Sequence, residues 1–132
     1  MRGGMDNVVH FEIPAGNVAR AKRFYSSVFG WRMREFPQMK YTMLLTGALD
    51  RQGRMPRDRG VINGGMMKRM GQIKSPVVTI NVTNLDSAMK KVARAGGKVI
   101  IGKQKVGDMG WTAYIKDPEG NVMGLWQTAR RR

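Results

Sequence analysis

The chain has 132 residues, the length of one domain or of two half-domains that share a core. It contains no cysteine, which excludes disulfides and thiolate metal sites and fits a reducing compartment, so we expect a cytoplasmic protein. No apolar run reaches the ~18 residues of a membrane span, and no apolar segment follows Met1 and Arg2 as a signal peptide requires.

The charge balance is strongly basic: 24 lysines and arginines stand against 9 acidic residues, a formal net charge of +15. Such an excess attracts nucleic acids and other anions. The basic residues are spread along the chain, and only Arg130–Arg132 form a continuous run, which we interpret as a solvated tail. No helix-turn-helix, zinc-finger or RNA-binding pattern accompanies them. We therefore expect only non-specific attraction of nucleic acid, no membrane partner, and a small-molecule ligand that is anionic or aromatic.

The first half predicts one helix among four strands. Residues 7–13 favour a strand that ends at Pro14. Asn17 is a suitable N-cap for a helix that reaches Phe29, because apolar residues recur there every three or four positions, and Gly30 ends it. The rest of this half predicts strands at 31–36, 41–45 and 61–68, with an exposed loop at 50–60.

The second half repeats this order after a linker at 70–75. Residues 77–82 predict a strand, and Asn84 caps a helix that runs to about Ala95, before Gly96 and Gly97. The remaining segments predict strands at 98–101, 111–116 and 121–127, a loop at 102–110 and a turn at 117–120. Each half is therefore predicted to be a βαβββ unit.

The two halves also align directly. A shift of 67 positions, the separation of His10 and Val77, places Asn17 on Asn84 without a gap between 10 and 33. Few of the aligned positions are identical, but strand, turn, helix and glycine recur in the same order. A period of this length present twice indicates a duplicated supersecondary unit and not a solenoid.

Two short sequence patterns suggest a family. The helix end Phe24-Tyr25 with Phe29-Gly30-Trp31, and Asp117–Asn121 before the last strand, resemble the vicinal oxygen chelate superfamily, as do the paired units and the early strand with His10. That superfamily contains glyoxalase I, the bleomycin-resistance proteins and the extradiol dioxygenases. The resemblance implies an α+β fold in one domain over 1–132. In it, two paired βαβββ modules, about 7–69 and 75–128, form a curved mixed eight-stranded sheet around a cleft, commonly in a homodimer.

The resemblance also implies where a metal would be held. In metal-dependent members, His and Glu side chains from four strands hold a divalent ion that acts as a Lewis acid on substrate oxygens. His10 occupies the first ligand position, whereas Val77 and Gly124 replace two others and Asn63–Gly65 offers no carboxylate. One ligand of four remains, so we expect no metal and no other cofactor. Glu12 shares the strand face of His10, which leaves a weak two-ligand site open.

The candidate site residues follow from these positions. His10 and Glu12 are the candidate acid–base pair, and a hydrogen-bonded strand histidine and a solvent-facing glutamate are the alternatives. The ligand-binding candidates are aromatic or thioether side chains, which are also typical of a core, and glycines that give a ligand room: Trp111, Trp126, Tyr41, Met66, Gly65 and Gly124.

Three functions are compatible with the sequence. The favoured one is metal-free binding or sequestering of a small molecule, as in the bleomycin-resistance type. The second is a glyoxalase-like lyase or a dioxygenase-related enzyme that acts on an oxygenated small molecule. The third is a basic accessory protein that associates with nucleic acid.

Overall fold

The computed structural model describes residues 5–53 and 55–129, so the predicted tail at 130–132 lies outside the described residues. The elements in chain order are β1 (Val8–Ala15), α1 (Val18–Phe29), β2 (Arg32–Phe36), a 3₁₀ turn (Pro37–Met39), β3 (Tyr41–Leu45), β4 (Gly64–Lys68), β5 (Val77–Asn81), α2 (Leu85–Arg94), β6 (Lys98–Val106), β7 (Gly110–Lys116) and β8 (Val122–Thr128). Eight strands with mixed pairing, arranged as two βαβββ repeats, confirm the predicted α+β class.

The chain divides into two compact units, and the first unit comprises His10–Val77. Its strands are ordered β2-β3-β4-β1, with β1 and β4 parallel and the other neighbours antiparallel. One face packs against α1 around the buried side chains of Ala15, Leu44 and Met66. Because successive side chains of a strand point to opposite faces, the other side chains of these four strands lie on the face away from α1.

Both predicted helix starts are confirmed. The Asn17 side chain accepts a hydrogen bond from the Arg20 amide at 2.9 Å, and the Asn84 side chain accepts one from the Ser87 amide at 2.9 Å. Each side chain satisfies an amide that would otherwise lack a partner in the first turn. At the end of α1, Gly30 has φ of 73°, the left-handed conformation that favours glycine.

The second unit comprises residues 5–9 and 78–129. Its strands are ordered β5-β8-β7-β6, with β5 and β8 parallel and the other neighbours antiparallel. The core beneath α2 contains Val82, Leu85, Ala113, Ile115 and Leu125. This unit therefore repeats the layer order of the first.

Three predicted boundaries are wrong. Most of the predicted loop at 102–110 is strand, because β6 extends to Val106. As the last strand of its unit, β6 is largely exposed, so its sequence lacks the apolar alternation by which a strand is predicted. Strand β4 begins only at Gly64. The buried Asn63 side chain, just before it, accepts hydrogen bonds from the backbone amides of Thr46 and Gly47. Strand β1 continues past Pro14 to Ala15, whose carbonyl accepts a hydrogen bond from the Arg69 amide at 3.2 Å.

Among the described residues, neither helix is long and apolar enough to cross a membrane; α1 has 12 residues and α2 has 10.

Candidate functional site

Four of the predicted site residues meet on one face of the first unit. Phe11 and Ile13 pack into the core beneath α1, so His10 and Glu12 point to the opposite face of β1. Glu12 lies beside Gly65 in the pairing of β1 with β4. From β3, Tyr41 reaches the same place. Sequence spacing predicted the shared face of His10 and Glu12, and the structure adds Tyr41 and Gly65 to it.

The Tyr41 hydroxyl joins the two candidate acid–base residues. It donates a hydrogen bond to Glu12 Oε2 at 2.8 Å, and His10 Nε2 lies 2.8 Å from the same oxygen. A phenol has a single hydrogen, so with that hydrogen on Glu12 the His10 ring must donate through Nε2–H. The result is a chain of hydrogen bonds from His10 through Tyr41 to Glu12, which we call the trio.

Glycine at position 65 makes this chain possible. A Cβ added to Gly65 would lie 1.6 Å from the Tyr41 hydroxyl oxygen and 1.9 Å from Cζ. Because β4 lies between β3 and β1, the Tyr41 side chain crosses Gly65 to reach His10 and Glu12. The missing side chain therefore provides the volume that the phenol occupies.

The electrostatics favour a neutral histidine. Burial lowers the pKa of His10 below its ordinary value of 6.5, and the nearby Glu12 charge opposes this shift without cancelling it. A neutral ring at pH 7 agrees with one Nε2–H donor toward Tyr41. Glu12 is 8% exposed, so its carboxylate is buried beside a hydrogen-bond donor and not in bulk water.

The residues present do not fit the metal centre of the metal-dependent members. His10 and Glu12 are both engaged by Tyr41, and no cluster of three or more His, Cys, Asp or Glu side chains occurs in residues 5–53 and 55–129. A catalytic divalent ion ordinarily needs about three protein ligands. Val77 is buried apolar core, and Gly124 faces the Thr79 hydroxyl, which a Cβ would approach to 2.8 Å.

Three predicted ligand-binding residues lie in the second unit, on two different faces. Trp111 packs toward the core beneath α2, with the ammonium groups of Lys103 and Lys105 5.4 and 5.7 Å from its ring centroid. Gly124 and Trp126 flank the core residue Leu125 on β8 and so point to the opposite face. Trp111 therefore does not share a face with Trp126.

The other predicted ligand-binding residue, Met66, faces away from the trio. It is fully buried in the core beneath α1. Its neighbour Met67 alternates to the trio's face, and Met43 pairs with Gly65 on that face. The sequence candidates also omitted Thr79, although a polar residue inside the apolar run of β5 is a usable signal for a side chain that faces a neighbouring glycine.

Comparison with known proteins identifies similar sequences. The family described as "Bleomycin resistance protein-like N-terminal" matches residues 7–47. The "Putative glyoxylase CFP32" proteins of Mycobacterium bovis and Mycobacterium tuberculosis are 29% identical over 98% of this chain and 48% of their own length. The chain thus spans about half the length of these curated relatives.

Solved structures share the fold at low identity. A hypothetical protein, BH1468, from Bacillus halodurans has a TM-score of 0.64 at 10% identity and covers 98% of this chain and 99% of its own. Methylmalonyl-CoA epimerase from Mycobacterium tuberculosis gives 0.62 at 11%, covering 98% and 93%. A glyoxalase/bleomycin resistance protein/dioxygenase superfamily member from Vibrio splendidus gives 0.58 at 14%, covering 94% and 99%.

The duplicated βαβββ architecture, with His10 on β1, is the fold of the glyoxalase/bleomycin resistance protein/dioxygenase superfamily member among these structures. By sequence, the chain is similar to the bleomycin-resistance family over residues 7–47 and to the two glyoxylase-named proteins over 98% of its length.

Proposed function

We propose that this protein binds a small organic molecule without a metal ion, at the face of the first unit that carries the trio. The observation that supports this most is the position of Tyr41, which occupies the space over Gly65 and engages both His10 and Glu12. A hydroxyl, a neutral imidazole and a carboxylate form a hydrogen-bonding surface for an oxygenated ligand.

The surroundings of the trio suit a planar, partly apolar ligand. By strand register, Met43, Met67 and Phe36 lie on the same face as Tyr41, and thioether side chains adapt to varied ligand shapes. Arg34 pairs with Met43 on this face, and its guanidinium donates to the Gly53 carbonyl at 3.2 Å. In the second unit, Trp126 with Gly124 provides a separate candidate surface for stacking.

Binding after metal removal tests the proposal. Chelator-treated protein is titrated by calorimetry with planar acids and phenolic compounds, and the best ligand is tested against Tyr41→Phe and Ser87→Ala. Loss of the hydroxyl at 41 is expected to weaken binding about tenfold, the effect of one well-placed hydrogen bond, while Ser87→Ala, which removes an exposed hydroxyl from α2, leaves it unchanged. Ligand binding that appears only after zinc or nickel is added contradicts the proposal.

A second candidate function, proton transfer on an oxygenated small molecule, is favoured by the continuous hydrogen-bond chain through Tyr41. Neutral His10 can accept a proton on Nδ1 while its Nε2–H is held by Tyr41, and Glu12 stabilises the charge that forms. Proton NMR in D₂O tests this: catalysed exchange of the hydrogen next to a carbonyl, lost in His10→Gln and in Glu12→Gln, supports an enzyme. No exchange across a set of α-hydroxycarbonyl compounds favours binding alone.

The remaining proposals concern partners and location. We infer that the protein is cytoplasmic. We also infer a homodimer, because superfamily members commonly pair; sedimentation equilibrium that gives only a 14.8 kDa species at micromolar concentration contradicts the dimer.

We infer that nucleic acid is held only through charge, so any DNA affinity falls steeply with added salt. DNA affinity that survives about 0.3 M salt and depends on base sequence instead supports the nucleic-acid alternative.

A further inference from the structure

We propose that a groove beside the start of α1 binds an organic anion with an aromatic body, separately from the trio. The groove lies in the first unit, where β1 ends and α1 begins, and its apolar walls include Ala15, Ala21, Phe24 and Tyr25. These side chains belong to the α1 side of the sheet or to α1 itself. The trio points to the other face, so the two surfaces are independent.

The charged residues that line this groove are both arginines, Arg20 and Arg69. Neither takes part in the ion pairs of the described residues, which join Lys22 to Glu35, Arg57 to Asp58 and Lys103 to Asp86. The Arg69 guanidinium lies against Gly16, where an added Cβ would come within 3.5 Å of Nη1. Two guanidinium groups without a carboxylate between them form an anion site, since planar guanidinium matches carboxylate and phosphate oxygens.

An aromatic wall stands beside these charges. Phe24 is 52% exposed although it is a large apolar residue, and it packs edge-on against Tyr25 with centroids 5.0 Å apart. Tyr25 in turn stacks on Trp31 at 5.0 Å with an interplanar angle of 11°. An exposed ring supported by a stacked pair offers a rigid surface for another ring. The occupant is therefore an aromatic anion and not a bare inorganic ion.

The guanidinium groups, and not the helix terminus, supply the positive charge. The Arg20 amide already donates to the Asn17 side chain, so this first-turn donor is not directed at a ligand. Arg69 also lines an adjoining hollow together with Met70 and Lys74. An anion longer than one ring and one charged group would extend along Arg69 toward the Lys74 ammonium.

Titration of the full ¹⁵N-labelled chain with 1-naphthyl phosphate tests the site, with 1-naphthol and inorganic phosphate as probes that each lack one half of the chemistry. We expect saturable amide shifts at Gly16, Arg20 and Arg69, with both control probes bound at least about tenfold more weakly. Arg20→Gln with Arg69→Gln should weaken naphthyl phosphate binding about tenfold or more. Arg94→Gln, an exposed arginine on α2, is the matched control and should change it less than about twofold.

Several results would contradict the proposal that the groove binds an aromatic anion. An equal effect of Arg94→Gln shows that the attraction is to the overall positive charge, and equal binding of 1-naphthol shows that the arginines are not used. Shifts confined to residues around His10 place the probe on the trio and support the proposed function instead. Tyr41→Phe leaves groove binding unchanged, so failure of one proposal does not entail failure of the other.

Discussion

The Tyr41 hydroxyl lies where a side chain at position 65 would be: a Cβ on Gly65 would come within 1.6 Å of it. Two departures from a metal-binding pattern are therefore linked in space. The strand that carries no carboxylate is also the one that a tyrosine from β3 crosses to reach His10 and Glu12. Because position 65 carries no metal-ligating side chain, the Tyr41 hydroxyl can occupy that space and hydrogen-bond to His10 and Glu12.

Gly65→Ala is expected to displace the Tyr41 ring and to lower the free energy of unfolding by about 1–3 kcal/mol, the usual cost of overpacking. Urea denaturation at pH 7 measures the change. Gly102→Ala is the matched control, because nothing lies within 4 Å of its added Cβ, and it should shift stability by less than about 0.5 kcal/mol. Equal effects of the two substitutions would show that the Tyr41 contact at position 65 is not tight.

Tyr41→Phe keeps the ring and removes the hydroxyl. We expect a loss of about 1–3 kcal/mol in unfolding free energy, because the buried Glu12 and His10 each lose a hydrogen-bond partner. Tyr25→Phe removes a hydroxyl from a stacked ring on the other side of the sheet and is expected to cost much less. Similar denaturation midpoints for Tyr41→Phe and the unmodified protein would contradict the trio.

Sequence patterns predicted the local elements better than the contacts between strands. Asn17 and Gly30 delimit α1 through chemistry contained in the helix itself, so the sequence alone predicts both ends. The shared face of His10 and Glu12 followed from their two-residue spacing on one strand. That Tyr41 crosses Gly65 depends on the pairing of β3 with β4, which no single strand encodes.

The tryptophans show the same limit. Trp111 and Trp126 lie on opposite faces because β7 pairs with β8 so that Thr112, and not Trp111, is opposite Trp126. Either residue alone fits the alternating pattern of a strand. Their relative orientation is fixed only by inter-strand register, and a shift of one residue would reverse it.

The His10 pKa gives stability a pH dependence whose sign is defined. Because burial lowers the pKa in the folded state, the unfolded chain binds the proton more readily once pH falls below 6.5. The contribution of His10 to the free energy of unfolding is therefore present above pH 6.5 and is lost as pH falls toward the lower folded-state pKa. Denaturation at about pH 7.5 and about pH 5.5 should show a decrease that His10→Gln reduces, since most carboxylates stay ionised over this interval.

The same shift is measurable directly. His10 is the single histidine of the chain, so its ring resonances are assigned without ambiguity. A proton NMR titration should give a midpoint below 6.5, and Glu12→Gln should lower it further because the opposing negative charge is removed. A midpoint at or above 6.5 would show that burial does not outweigh the Glu12 charge at this ring.

Metal analysis is expected to find no stoichiometric zinc, nickel, iron or manganese in protein purified without chelator. The donors on the trio face are engaged by Tyr41, and Val77 and Gly124 cannot ligate. Plasma emission spectrometry measures the content, and His10→Ala is the control. About one metal per chain that disappears in His10→Ala would restore the metal-dependent enzyme as the leading function.

Tryptophan fluorescence should separate the two faces of the second unit. Trp126 shares its face with Gly124, and its indole N–H donates to the Thr128 hydroxyl at 2.9 Å. Trp111 instead faces the core beneath α2, with the Lys103 and Lys105 ammonium groups near its ring. A planar ligand that stacks on Trp126 gains roughly 0.5–1.5 kcal/mol beyond burial. Saturable quenching should therefore be lost in Trp126→Phe and retained in Trp111→Phe.

The salt dependence of that quenching completes the test. An enclosed stacking contact is screened less than a surface charge, so quenching should persist at about 0.3 M salt, where the Debye length is well below 10 Å. Quenching that vanishes at this ionic strength would show attraction to the basic surface. Quenching that survives in the Trp111→Phe/Trp126→Phe double variant would arise from the third tryptophan, Trp31, and would show no stacking on Trp126. Because the two single variants remove indoles from opposite faces, the comparison also reports which face the ligand contacts.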